Sequence, residues 1–292
     1  MPNTQATAVS VNEDEVVYQG MTRVMLDAAY NNTLAVSDSG TWLSRWKARG
    51  EEIRAGTGAR LDIPYGAKPK QKFDYFACGK PNAPLFVFIH GGYWQRNDKE
   101  TFSFVSDGPR QAGVDVAVVG YTLAPDASLT EIVGEVTRFL TYLAGAADDL
   151  PFDRKRVIVG GWSAGGHLSA LLDAHPICAG TLLISGIFDL KPIALCYIND
   201  KLRLTSREIK ELSPLNDLPR HGKPCFVVAG EAELSELKRQ SQLYAEGRKG
   251  VGSPTFLKLL PGHNHYSILS EFSDRTGMLT RLLQDLVARC PA

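Results

Sequence analysis

The 292 residues carry 32 Lys+Arg against 32 Asp+Glu, so there is no net field to draw in nucleic acid, anionic lipid or another polyelectrolyte. Hydrophobic residues at 44% and charged residues at 22% are those of a globular chain, and no apolar run approaches the ~20 residues that a membrane span needs. Cys78, Cys178, Cys196, Cys225 and Cys290 are odd in number and scattered, with no C-x-x-C pair and no histidines at zinc spacing, which favours free thiols in a reducing, cytoplasmic setting.

The first residues, Met1 to Thr7, lack the basic start and apolar core of a signal peptide and are expected to form a short mobile tail. Residues 13–57 place Val16, Val17, Met21, Val24, Met25 and Leu26 at helical spacing, break at Tyr30-Asn31-Asn32-Thr33, and resume with Trp42 to Trp46. This predicts an N-terminal helical segment packed over a sheet or a site mouth. Ala59 to Ile63 and Lys72 to Phe76 flank the turn chemistry of Pro64 to Pro69 and are predicted as antiparallel edge strands.

From Pro84 the pattern changes to short, wholly apolar runs separated by helical stretches. Leu85–Ile89, Val114–Val119, Val157–Val159, Thr181–Ile184, Cys225–Val228 and Thr255–Leu260 are the predicted strands, with helices over Leu129–Ala146, Gly166–Ala174, Ser235–Gly247 and Ser267–Arg289. Strands apolar on both faces are covered by helices on both sides, so the sheet is expected to be mostly parallel. The stretch 191–222 has no strand and holds Pro192, Pro214 and Pro219, which reads as a lid-like insertion within one domain spanning 1–292.

Three pieces carry the chemistry. Val157 to Val159 runs into Gly161-Trp162-Ser163-Ala164-Gly165 and then a helical pattern, the strand, sharp turn and helix of a nucleophile elbow. His90-Gly91-Gly92-Tyr93-Trp94 follows a central strand, and its two glycines let backbone N–H groups face one developing oxyanion. The oxyanion hole is assigned to the amides of Gly91, Gly92 and Ala164. A serine hydroxyl needs a base, and the base needs an acid to fix its tautomer. The slot after Cys225–Val228 offers Glu231 and Glu233, and the slot after Thr255–Leu260 offers His263 and His265. Glu233 is favoured because Glu231 sits too close to the strand end; Asp189 is a third candidate, although capping of the next segment suits it better. His265 is favoured over His263 because it lies deeper in its loop, beside Tyr266. His167 reads as a residue packed under the elbow, and His175 and His221 as loop residues. His263-Asn264-His265 has no third ligand cluster nearby, so neither a metal nor another cofactor is expected. The order Ser, acid, His along successive strands is that of the α/β-hydrolase fold, here with about eight strands, helices on both faces and the small lid.

With these residues assembled, the chain resembles the kynurenine formamidase (arylformamidase) branch of the esterase/lipase α/β-hydrolases, the branch with a His-Gly-Gly-x-Trp motif. The likeness runs from about Leu26 to Tyr266 and includes Leu26-Asp27-Ala28-Ala29-Tyr30-Asn31, Asp62-Ile63-Pro64-Tyr65-Gly66, Gly120-Tyr121-Thr122-Leu123-Ala124-Pro125, Ser185-Gly186-Ile187-Phe188-Asp189-Leu190, the Tyr197 to Leu204 segment with Ser213-Pro214, Glu236 to Ser241, and Asn264-His265-Tyr266. The resemblance implies Ser163 as nucleophile and His265 as base. The family's acid, usually aspartate, falls here on Glu233, one methylene longer.

The reading that follows is a metal-independent serine hydrolase that removes a small acyl group, formyl or acetyl, from an aryl amide or ester. Tyr93, Trp94, Trp162 and Tyr266 are the candidate walls of an apolar pocket for the aryl group. N-formylkynurenine leads as the single substrate through the resemblance alone, with a general carboxylesterase or amidase as the alternative. A catalytically silent hydrolase fold serving as a small-molecule receptor is disfavoured because both Ser163 and His265 are present. Neither nucleic acid nor membrane is expected as a partner, and a homo-oligomer is compatible with the sequence.

Overall fold

Seven consecutive residues, Ala83–Ile89, are all buried, and the computed structural model, which describes residues 15–56, 58–145 and 150–290, places this run at the centre of an eight-stranded sheet. In chain order the strands are β1 (Ala59–Pro64), β2 (Lys72–Phe76), β3 (Ala83–Ile89), β4 (Asp115–Val119), β5 (Phe152–Trp162), β6 (Cys178–Ile184), β7 (Cys225–Gly230) and β8 (Thr255–Leu260). Their spatial order is β8-β7-β6-β5-β3-β4-β2-β1. All neighbours from β8 to β4 run parallel, and β2 and β1 add antiparallel at one edge.

Alternation along β3 divides the core. Leu85, Val87 and Ile89 face the helix Leu129–Gly145, whose buried stripe contains Ile132, Val136, Phe139, Leu140 and Leu143. Phe86 and Phe88 face the other layer, where Trp46, Phe272 and the helix Met278–Ala288 pack. Every side chain of β3 thereby leaves water on one face or the other, at roughly 25 cal/mol per Å² of apolar surface removed.

Several elements differ from the sequence reading. Residues Val16–Tyr18 and Met21–Thr22 form a two-stranded ribbon instead of a helix, because Gln19 and Gly20 adopt positive φ values of 44° and 80° and close a tight turn. Helices follow at Arg23–Ala29, Asn32–Ala35 and Ser39–Ala55, leaving Val24 and Met25 exposed. The expected tail, Met1 to Thr7, and the end of the expected helix at Ala146 lie outside the described residues. The helix read over Ser267–Arg289 is two pieces, a 3₁₀ turn at Ser267–Phe272 and the helix Met278–Ala288; between them Gly277 presses so closely on the Glu271 carbonyl that no Cβ fits. The strandless stretch after β6 holds three short helices, Lys191–Ala194, Asn199–Leu202 and Ser206–Glu211, the last started by a capping box of Thr205 and Glu208.

A buried ionic cluster fixes the sheet edge to the segment that follows the central strand. Lys99, 4% exposed, donates to Asp62 and Asp74 at 2.8 Å each, and Arg54 from the N-terminal helix also pairs with Asp74. Lys99 thus anchors the C-terminal end of the glycine loop that begins at His90.

Candidate active site

The turn after β5 requires its glycines. Ser163 has φ 59° and ψ −119°, a left-handed conformation that turns the chain abruptly from strand to helix. A Cβ on Gly161 would stand 2.5 Å from the Gly165 backbone, and one on Gly165 would fall on the Ile89 carbonyl oxygen. Only hydrogen fits at both positions, so strand, turn and helix meet at van der Waals contact. The Ser163 amide donates to the Ile184 carbonyl at 2.8 Å, which locks the turn to β6. The hydroxyl is thereby held at the start of the helix Ala164–Leu171, whose unpaired N–H groups favour negative charge.

Glu233 and His265 come from loops after β7 and β8 and meet there. His265 Nδ1 lies 2.8 Å from Glu233 Oε2, with the histidine side chain 4% and the glutamate side chain 0% exposed. The second carboxylate oxygen, Oε1, accepts from the Ser185 hydroxyl and from the Gly230 amide, both at 2.6 Å. Because Glu233 accepts at Nδ1, the proton sits there and the Nε2 lone pair is left free. Trp162 supports the imidazole from behind: its Nε1 donates to the His265 carbonyl at 2.8 Å, and the ring centroids lie 4.7 Å apart.

The other candidates are placed elsewhere. His263 pairs with Glu271 at 3.1 Å, so the two histidines of the His-Asn-His run serve different carboxylates. The Glu231 carbonyl accepts from Lys238, and its side chain is exposed. Asp189 accepts from the Lys191 amide and from the Tyr18 hydroxyl, so it caps the following segment. No three His, Cys, Asp or Glu side chains gather as metal ligands among the described residues.

The glycine loop faces Ser163. A Cβ on Gly91 would lie 2.9 Å from Ser163 Cβ, so the loop backbone passes directly over the elbow. Gly92 has φ +118°, and Tyr93 and Trp94 follow at +52° and +58°. The His90 carbonyl accepts from the Tyr121 hydroxyl at 2.9 Å; the Gly91 carbonyl accepts from Asn97 Nδ2 at 3.1 Å and from His90 Nδ1 at 2.9 Å. In a trans peptide the N–H points opposite to the C=O. Drawing these two carbonyls back therefore turns the amides of Gly91 and Gly92 the other way.

Ser163, His265, Trp162, Tyr266, Tyr93 and Asn97 are among the residues that line one cavity of about 130 Å³. Its rim comes from the N-terminal helices through Asn32, Thr33 and Leu43, and Thr33 Oγ1 lies 3.3 Å from the Tyr266 hydroxyl. Tyr93 is tied down at its hydroxyl, which donates to the Tyr30 carbonyl and accepts from Asn32. Trp94 is a correction: it is 0% exposed, packs edge-on to His167 and belongs to the core, not to the cavity wall. Its left-handed backbone turns the ring inward. A second, open cavity of about 480 Å³ adjoins the first; the two share Thr33, Tyr93 and Arg96, and Tyr197, Asp200 and Lys201 complete the outer one.

Two buried histidines flank the site without joining it. Burial holds His90 and His167 at about 4, below the ordinary 6.5, so both are neutral. The unfolded chain takes up these protons below pH 6.5 and the native chain only near 4, so their contribution to stability is full above about pH 6.5 and is lost as the pH falls toward 4. The Tm should be flat from about pH 6.5 to 8, fall between 6.5 and 4, and fall less in His167→Gln; a Tm constant between 6.5 and 4 contradicts this placement.

Strand order, elbow and loop positions define an α/β-hydrolase. A family model described as BD-FAE matches residues 75–176. A kynurenine formamidase from Danio rerio is 28% identical over 262 residues, covering 85% of this chain and 88% of its own. Another from Drosophila melanogaster is 28% identical over 260 residues, covering 82% and 86%. A crystal structure from Silicibacter sp. TM1040, of a protein provisionally assigned as a thioesterase, superposes with a TM-score of 0.79 at 26% identity over 89% of this chain and 98% of that one. The chain is a hydrolase with the fold of the esterase/lipase α/β-hydrolases, and over most of its length it is similar to kynurenine formamidases.

Ser185, Asn97 and Tyr121 were not singled out for the site from sequence. Ser185 carried one signal, its place at the end of β6 beside the slots that hold the other candidates. Tyr121 lay in the Gly120–Pro125 stretch that carries the resemblance but had no role assigned, and Asn97 carried no signal, since its contact is made to loop backbone.

Proposed function

We propose that Ser163 is the nucleophile, His265 its base and Glu233 the acid that orients the base, in an enzyme that removes the formyl group from N-formylkynurenine. The observation that carries this reading is that His265, paired with Glu233 at 2.8 Å, lines one cavity with Ser163. Ser163 Oγ attacks the formyl carbonyl while His265 Nε2 takes its proton. The oxyanion is met by the amides of Gly91, Gly92 and Ala164. Collapse breaks the C–N bond, His265 returns the proton to the departing aryl amine, and water hydrolyses the formyl-enzyme to formate by the same steps.

The chamber sizes support a small acyl group. About 130 Å³ surrounds Ser163, whereas the adjoining 480 Å³ has room for a larger leaving group. Arg96, Lys201 and Asp200 around the outer chamber offer both signs of charge to an amino-acid head group, with Tyr93 and Tyr197 beside the aryl ring. A general esterase for small acyl groups is the second reading, because the inner chamber admits acetyl as readily as formyl. We read the chain as one hydrolase domain, with residues 15–56 and 191–222 as its cover, acting on a small ester or amide. No helix among the described residues is long and apolar enough to cross a membrane.

Steady-state hydrolysis of N-formyl-L-kynurenine and p-nitrophenyl acetate, side by side, tests the substrate. The formylated amino acid should be preferred by orders of magnitude in kcat/KM. Arg96→Gln should raise KM for it about tenfold, roughly 1.4 kcal/mol, and leave the uncharged acetate unaffected. Cleavage of the activated ester alone would move the assignment to the esterase reading.

A further inference from the structure

The peptide joining Gly91 to Gly92 is bounded on both sides by glycine torsions, the least restricted in the chain. A flip of that peptide needs only a change of ψ at Gly91 and of φ at Gly92, and no Cβ opposes it. Flipped, it would turn a carbonyl oxygen toward the developing oxyanion in place of an N–H donor. An oxyanion hole built there needs a lock, and the loop holds one. Asn97 Nδ2 donates to the Gly91 carbonyl at 3.1 Å, joined by His90 Nδ1 at 2.9 Å; because a carbonyl can only accept, the imidazole proton sits on that nitrogen. Asn97 holds φ +76°, a left-handed conformation that asparagine tolerates better than most residues, and this brings its amide back onto the loop. Its Nδ2 would stand 2.7 Å from a Cβ at Gly92, so the amide rests directly against the peptide it restrains.

Asn97 itself faces two cavities. It lines the cavity of Ser163 and a polar cavity of about 200 Å³ behind the loop, which His90, Lys99 and Tyr121 also line.

We propose that Asn97 is a positioning residue for the oxyanion hole, holding the Gly91 carbonyl away from the cavity so that the Gly92 N–H meets the tetrahedral intermediate. Tyr121 does the same one peptide earlier, through the His90 carbonyl, for the Gly91 N–H. The assignment rests on the serine-hydrolase reading above and adds the residue that sets the geometry of its anion site.

The test compares wild type with Asn97→Gly and Asn97→Ala. Glycine keeps the left-handed backbone and loses only the amide; alanine loses the amide and strains the backbone. Loss of one oxyanion donor costs about 10²–10³-fold in kcat, and a peptide that flips part of the time should cost less, about 10–100-fold. Both variants should lower kcat on p-nitrophenyl acetate by that factor with KM within about twofold, because the donor acts on the transition state alone. Affinity for a trifluoromethyl ketone, whose serine adduct carries an oxyanion, should fall by the same factor, and the Tm of Asn97→Gly should stay close to wild type. If Asn97→Gly keeps full kcat, or raises KM without lowering kcat, the proposal is overturned: the asparagine then supports only the backbone or touches substrate. If only Asn97→Ala is impaired, strain and not the amide is responsible, which also overturns it. A wild-type chain that cleaves neither ester nor formamide overturns the hydrolase reading and this proposal together, whereas an active wild type beside an unimpaired Asn97→Gly overturns this proposal alone.

Discussion

Ser163→Ala should lower kcat about 10⁵–10⁶-fold on any substrate the protein turns over while leaving the fold in place. The hydroxyl lines the cavity, and it is the main-chain bond from the Ser163 amide to Ile184 that holds the elbow. Alanine keeps that bond and the same positive φ, so the Tm should shift by no more than a few degrees. The residual rate would come from the amides of Gly91, Gly92 and Ala164 acting on direct attack by water, as expected when binding and anion stabilisation survive without the nucleophile. Retention of more than a few per cent of kcat would remove Ser163 from the reaction.

Glu233→Gln should lower kcat about 10³–10⁴-fold with little change in KM. The reason is a constraint on the amide's orientation. One carboxylate oxygen accepts from Ser185 and from the Gly230 main chain, and a backbone N–H can only donate, so glutamine must keep its oxygen there. Its NH₂ is then directed at His265 Nδ1, which must become the acceptor. The imidazole proton moves to Nε2, and the base cannot take the serine proton. Glu233→Asp should be milder, about 10–100-fold, because the shorter acid keeps its charge but cannot reach both His265 and the Ser185–Gly230 pair. A Glu233→Gln variant with near wild-type kcat would show that the base needs no carboxylate partner.

Six of the eight strands were legible in the sequence as apolar runs of their own and the two edge strands from the turn chemistry of Pro64 to Pro69 between them, and the order of the loops singled out Ser163, Glu233 and His265. Boundaries were less so. β5 begins at Phe152, well before the apolar Val157, because its first residues pair with Ala83 on the main chain while Arg154 and Lys155 reach solvent. The ribbon at Val16–Thr22 was concealed by β-branched residues whose spacing also fits a helix, and only the left-handed pair at Gln19 and Gly20 distinguishes the two. Trp94 reads as a pocket wall from its place beside Tyr93, but two successive positive φ values send the neighbouring rings to different surroundings. Ser185, Asn97 and Tyr121 act through single hydrogen bonds to residues 6 to 48 positions away, and no periodicity marks such a bond.

The central claim, a covalent serine mechanism at this elbow, is tested most directly by the site of modification by a fluorophosphonate probe, read by mass spectrometry of the labelled peptide. One stoichiometric adduct on Ser163, absent from Ser163→Ala and strongly slowed in Glu233→Gln, is the expected result. An unlabelled chain, or an adduct on another residue with Ser163 free, would contradict it and favour a silent hydrolase fold that binds its ligand without turning it over.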